Sequence, residues 1–125
     1  MNLFEGRVTE DEPDYIRIDA PALGSEIYVG HGVSCAPNQR VWFAIRPEKM
    51  RLTRTRPEQP DNAFPGMIDD VAYMGNLSIF RVRLGNGTLV KVTRANLSRY
   101  DEEALTWDEA CWISWDDTAG VVLTQ

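Results

Sequence analysis

The sequence predicts an all-β domain, a barrel or a sandwich, and three observations carry that reading. Helical periodicity is nearly absent from the 125 residues. Short runs rich in Val, Ile, Tyr, Phe, Trp and Thr recur between turn residues, as in half-buried strands. The two halves also repeat each other in order, which predicts two related small β units sharing one core.

Taken along the chain, the runs place strands near residues 3–9, 14–20, 25–29, 40–46, 49–54, 65–74, 77–84, 88–94, 110–116 and 120–124. The fourth run, VWFAI, alternates, with Val41, Phe43 and Ile45 on one face and Trp42 and Ala44 on the other. It meets Arg46-Pro47-Glu48, where Pro47 removes a ladder donor, so the strand must stop or reach an edge. Arg46 can fan its donors to carboxylates or carbonyls, and Glu48 can accept from loop amides. A structural junction is favoured there over a catalytic or ligand role. Asn86-Gly87 lies between IFRVRL and TLVKVT and is the strongest hairpin signal, because both residues tolerate positive φ. Asp101 to Leu105 is expected to form one short helical turn, with Asp101 near its start.

Four matches define the repeat. Phe4-Glu5-Gly6 corresponds to Phe64-Pro65-Gly66 at an offset of 60, and Tyr15–Ile18 to Ile79–Val82 at 64. Trp42 corresponds to Trp112 at 70, and Leu52-Thr53 to Leu123-Thr124 at 71. A growing offset predicts loop insertions between equivalent strands. A single domain, 1–125, is expected to hold units of about 2–56 and 60–125, joined through RPEQPDNAFPG. Each unit is near the lower size for independent stability, hence the shared core. Trp42 and Trp112 are expected to line it at equivalent positions. Asp116, in the second copy CWISWDD, is the equivalent of Arg46, which suggests a complementary pair across the units.

Composition narrows the function. The hydrophobic fraction of 43% is compatible with a packed core, and no apolar run is long enough for a transmembrane helix. The N-terminus lacks the basic and apolar blocks of a signal peptide. Two cysteines make no disulfide scaffold; Cys111 sits in the apolar pattern as a small core residue, and a reducing cytoplasm fits best. A net charge of -6 argues against general nucleic-acid binding. Five cations against Glu48 leave residues 46–56 at +4 and the rest of the chain at -10. The bland reading is a solvated strand whose arginines balance nearby acids; the sharper one docks Arg51, Arg54 and Arg56 on an acidic partner.

No catalytic constellation emerges. His31, the one histidine, lies in the turn-like GHG of residues 30–32 without companions at metal-ligand spacing. No phosphate loop of the form G-x-x-x-x-G-K-[ST] occurs, and the only lysines are Lys49 and Lys91. Asp69-Asp70 and Asp116-Asp117 adjoin strand ends, where like charges are ordinarily solvated. The expectation is no enzyme, with no catalytic, cofactor or metal residues.

Three stretches carry a family resemblance: NLFEGRV at 2–8, AIRPEKMRL at 44–52 and GMIDDVAYMGNLSIFRVRLGNG at 66–87. In the last, Gly66, Ile68, Val71, Tyr73, Gly75, Phe80, Val82, Leu84 and Gly87 follow G-x-V-x-x-V-x-Y-x-G…Y-x-V-x-L-x-x-G. The chain resembles the TOBE domain, the C-terminal accessory domain of ATP-binding subunits of bacterial ABC importers, and within these the polyamine (spermidine/putrescine) branch. The resemblance implies an OB-like or MOP-like β-barrel. It implies a fragment, with a nucleotide-binding domain holding ATP and Mg ahead of Asn2 and Met1 added as a start. The implied partners are that domain, a twin accessory domain in the ATPase dimer and, indirectly, the membrane subunits. The implied location is cytoplasmic, at the inner face of the bacterial inner membrane. Some members of the superfamily bind molybdate through a Ser-Ala-Arg-Asn start and later Ser/Thr and Lys positions. Here the start reads Met1-Asn2-Leu3-Phe4, and the later stretch is Val92-Thr93-Arg94-Ala95-Asn96, so an anion site on Thr93 and Arg94 is the weaker reading and a strand end with a polar loop the usual one.

Three function classes follow. The first is a non-catalytic regulatory and dimerising module of an importer ATPase subunit. The second is a sensor for a small ligand, an oxyanion or a polyamine. The third is an OB-type nucleic-acid binder stacking bases on Trp42, Tyr73, Phe80 and Tyr100, which the acidic remainder of the chain opposes.

Overall fold

A computed structural model describes residues 1–58, 62–95 and 107–124. Among the described residues ten strands run in chain order: β1 (Asn2–Asp11), β2 (Ile16–Ala20), β3 (Ser25–Val29), β4 (Arg40–Ile45), β5 (Arg51–Thr53), β6 (Asn62–Tyr73), β7 (Leu77–Leu84), β8 (Leu89–Ala95), β9 (Ala110–Trp115) and β10 (Val121–Leu123). Each lies on one of the ten runs read from composition. Short 3-10 turns cover Pro21–Leu23 and Pro47–Lys49. The helical turn expected at 101–105 falls outside the described residues, as do Asn96 and Tyr100.

The strands form two antiparallel five-stranded sheets. Sheet A has the order β10-β4-β1-β2-β3, and sheet B has β5-β9-β6-β7-β8. The orders are the same once each strand is matched to its repeat, with one exchange. β5 follows β4 in sequence but pairs with β9 in sheet B; β10 follows β9 but pairs with β4 in sheet A. Each unit therefore completes the other's sheet.

Register shows how literal the repeat is. Val8 faces Ile18 and Ile68 faces Val82; a bulge follows in each long strand, between Val8 and Glu10 and between Ile68 and Asp70. A bulge adds local twist, so the two sheets bend at the same place. Glu5 faces Trp42 as Pro65 faces Trp112. Two details differ from the sequence reading. Leu52 faces Ile113 while Val122, not Leu123, faces Phe43, so the last offset is 70 rather than 71. Ile27 faces Ile18 as Val90 faces Val82, an offset of 63 at the third strand, so the offset falls before it grows. The cause is the β7–β8 hairpin, one residue shorter than the β2–β3 link.

That hairpin also departs from the expected turn. Gly87 donates its N–H to the Leu84 carbonyl (2.9 Å), and Gly87 alone takes positive φ, at 91°. The loop is a three-residue turn in which only its last glycine needs left-handed backbone. Asn86 instead accepts from the Thr88 N–H through Oδ1 (3.1 Å).

One apolar core joins both sheets. Its centre is Trp115, with ring centroids 6.3 Å from Phe4, 5.9 Å from Phe43 and 5.2 Å from Phe64. Trp42 and Trp112 are equivalent, as the repeat implies, but they lie half-buried on the outer faces, not in the core. Period two decides this: Val41, Phe43 and Ile45 point inward, so Trp42 cannot. Phe80 is buried and Tyr73 exposed, so the aromatic residues weighed as a base-stacking platform do not share a surface.

Candidate docking surfaces

The two crossings between sheets position every charged candidate. β4 ends at Ile45, Arg46 is extended, and Pro47 opens the 3-10 turn, where a missing N–H costs nothing. The Lys49 N–H donates to the Arg46 carbonyl (3.0 Å) and the Met50 N–H to that of Pro47 (3.3 Å). Met50 is buried, and β5 then begins in the other sheet. The Arg46-Pro47-Glu48 triplet is thus the bend that carries the chain between sheets. Arg46 and Glu48 are exposed.

Asp116 occupies the corresponding place after β9, but its partner is Arg51, whose Nη2 donates to Oδ1 at 2.7 Å. A pair does join the two units, but the expected Arg46–Asp116 pairing does not form, because β5 carries Arg51 alongside β9. Arg54 and Arg56 are also engaged on the outside of sheet B. Arg54 Nη1 donates to Glu109 Oε2 (3.0 Å), and the Arg56 guanidinium lies 5.5 Å from the Trp112 ring centroid. On sheet A, Arg40 pairs with Glu5 and sits 5.7 Å from the Trp42 ring. All these contacts are partly exposed and each is worth little alone.

Thr93 and Arg94 lie within β8, opposite Ile79 and Ser78. His31 is exposed, its Nδ1 3.4 Å from the Gly32 carbonyl. Among the described residues, no group of His, Cys, Asp and Glu could hold a metal ion. Burial pushes the Cys111 thiol up to about 11; Cys35, half-buried, is raised by desolvation and by the neighbouring Asp11.

Two features escaped the sequence reading. The first is a pair of buried asparagines. Asn62, opening β6, donates through Nδ2 to the Tyr28 carbonyl (3.0 Å) and accepts from the Tyr28 N–H at Oδ1 (2.8 Å). Asn2, opening β1, does the same to Lys91 (2.7 and 2.9 Å). Each side-chain amide thereby binds the edge strand of the opposite sheet as a further strand would. The signal was present: the match at Phe4 and Phe64 extends two residues back, to Asn2-x-Phe-x-Gly and Asn62-x-Phe-x-Gly.

The second is an apolar face on the outside of sheet A. Leu3, Ala44 and Val121 lie side by side across β1, β4 and β10, and Leu123 sits beside Trp42. Met1, Leu3, Val121 and Leu123 are exposed by 73%, 58%, 58% and 41%. A depression of about 390 Å³ opens there, walled by Met1, Val121 and Leu123, floored by Ala44, and rimmed by Arg46 and Lys49.

The TOBE domain model matches residues 43–123. The chain belongs to the TOBE domain family. The match spans the crossing at Arg46–Met50, all of sheet B and β10. This TOBE domain is 32% identical over 124 residues to the putrescine transport ATP-binding protein PotG of Escherichia coli K12, covering 99% of the chain and 33% of that protein. It is 31% identical over 119 residues to the spermidine/putrescine import ATP-binding protein PotA of Thermotoga maritima, covering 92% of the chain and 32% of that protein. The chain thus spans about a third of the length of the curated relatives it matches. Among solved structures, the cytoplasmic molybdate-binding protein ModG superposes with a TM-score of 0.85 at 12% identity, over 99% of this chain and 96% of that one. At that identity the likeness is one of fold, and it places this TOBE domain in the OB-like barrel class.

Proposed function

We propose that this TOBE domain is the non-catalytic regulatory and dimerising domain of the ATP-binding subunit of an ABC importer for polyamines. The observation that carries the reading is similarity along nearly the whole chain to putrescine and spermidine/putrescine ATP-binding proteins three times as long. In such a subunit a nucleotide-binding domain holds ATP and Mg; this chain offers neither a phosphate loop nor its lysine. Its partners are then that domain, a twin accessory domain and, indirectly, the membrane subunits, all at the cytoplasmic face.

The test compares the full-length subunit with one lacking this domain. Removal should leave ATP binding intact while weakening dimerisation and transport-coupled ATP hydrolysis. Equal dimerisation and equal coupling would refute the regulatory reading. Saturable micromolar heat when the 125-residue chain is titrated with Mg-ATP would refute the non-catalytic one.

A further inference from the structure

The repeat makes the two outer faces comparable position by position, and they differ in chemistry. In sheet B, Asp116 after β9 is answered by Arg51 in β5. In sheet A the equivalents are Arg46 after β4 and Val121 in β10, so the cation faces a valine where the repeat would supply its counter-ion. Lys49 stands on the same rim. Among the described residues neither Arg46 nor Lys49 has an ionic partner. Between them lies the depression of about 390 Å³ with its apolar floor and wall. Thr53 in sheet B is likewise replaced by Leu123 in sheet A, so at this end of the sheet both β10 positions change from polar to apolar.

We propose that this face of sheet A docks the ATP-binding portion of the same subunit, through a segment that presents apolar side chains beside one or two carboxylates. The proposal rests on the reading under Proposed function. Three features select that occupant. Contiguous exposed apolar side chains gain by leaving water, which calls for an apolar surface opposite. Two unanswered cations at the rim call for carboxylates, which give such a contact its register. Met1 lines the depression, so any polypeptide joined ahead of β1 is tethered on this face. The cations on the outside of sheet B, Arg51 and Arg54, already have carboxylate partners within the chain.

The experiment is hydroxyl-radical footprinting of the full-length subunit beside the 125-residue chain. Leu3 and Leu123 should lose their labelling in the full-length protein, while the exposed Leu89 on β8 keeps it. The double reversal Arg46→Glu with Lys49→Glu should restore labelling at Leu3 and Leu123, and Arg54→Glu with Arg56→Glu should not. Both pairs are exposed, so folding should survive; if the first pair fails to fold, Val121→Ser with Leu123→Ser takes its place, read at Leu3. Equal labelling of Leu3 and Leu123 in the two proteins overturns the docking face alone. Protection already present in the short chain and lost on dilution overturns it in favour of a second copy. A full-length protein with no ATP-binding portion overturns the functional reading, and the docking face with it.

Discussion

Replacing Asn62 by alanine tests whether the barrel is closed by side-chain amides. Asn62 is 2% exposed and satisfies both the N–H and the carbonyl of Tyr28 on the outward edge of β3. Alanine removes both partners and leaves two backbone groups in a site water reaches poorly. An unsatisfied buried group costs about 1–3 kcal/mol. Some relaxation is expected at an edge strand, so the change should cost about 2–4 kcal/mol in all. That is a large share of the roughly 5–15 kcal/mol that holds a domain together. Asn2→Ala should cost less, about 1–2 kcal/mol, because Asn2 is 8% exposed against 2% for Asn62 and solvent can replace its bonds more easily.

Urea unfolding measures both losses, provided the dependence on denaturant is unchanged. Amide hydrogen exchange supplies an independent readout. The Tyr28 N–H should exchange only on global unfolding in the parent chain and through local opening in the Asn62→Ala variant. A loss below about 0.5 kcal/mol, the level of an ordinary surface substitution, would refute the closure argument. So would a Tyr28 amide that stays protected in the variant.

Other expectations follow from the same geometry. Trp115→Ala should cost about 3–5 kcal/mol, whereas Trp42→Ala and Trp112→Ala, each losing a half-exposed ring under an arginine, should cost about 1 kcal/mol; denaturant midpoints that rank Trp112 above Trp115 would contradict the assigned core. Cys111, its thiol pushed up to about 11 by burial, should resist alkylation at pH 8 until the chain unfolds. Since its pKa is raised in the folded state, stability should fall as pH rises from about 9 towards 11; a flat unfolding midpoint over that interval would count against it.

Strand positions were legible because the β-forming runs are short, alternating and separated by turn residues. All ten observed strands overlap those runs, and the offset at Trp42 and Trp112 placed β4 and β9 correctly. What alternation could not disclose was which side of Trp42 faced the core. The decision depended on Phe43 and Ile45 outweighing one tryptophan, and the larger ring drew the wrong assignment. Trp115 was hidden because its counterpart is Ile45, a different residue type. The exchange of β5 and β10 was likewise invisible, since a three-residue strand carries no signal for its partner. The basic strip was legible as charge but not as pairing: Arg51 reaches Asp116 only because β5 crosses into sheet B.

The exchange bears on what the repeat accomplishes. Were each unit to keep its own last strand, two small barrels could open independently. With β5 in sheet B and β10 in sheet A, the chain cannot release one unit without stripping an edge from the other. The apolar core and the Asn2 and Asn62 amides run across the same boundary, so three kinds of interaction fail together. The core therefore couples both halves, and equivalent positions such as Val8 and Ile68, or Phe4 and Phe64, are filled by like apolar side chains. The outer faces are under no such constraint. There Asp116 and Arg51 oppose Arg46 and Val121, and Thr53 opposes Leu123, whereas the buried exchange of Ile45 for Trp115 keeps both positions apolar. In a domain whose interior must stay apolar and shared to stay folded, the asymmetric outer face is where its interactions with other molecules can be specified.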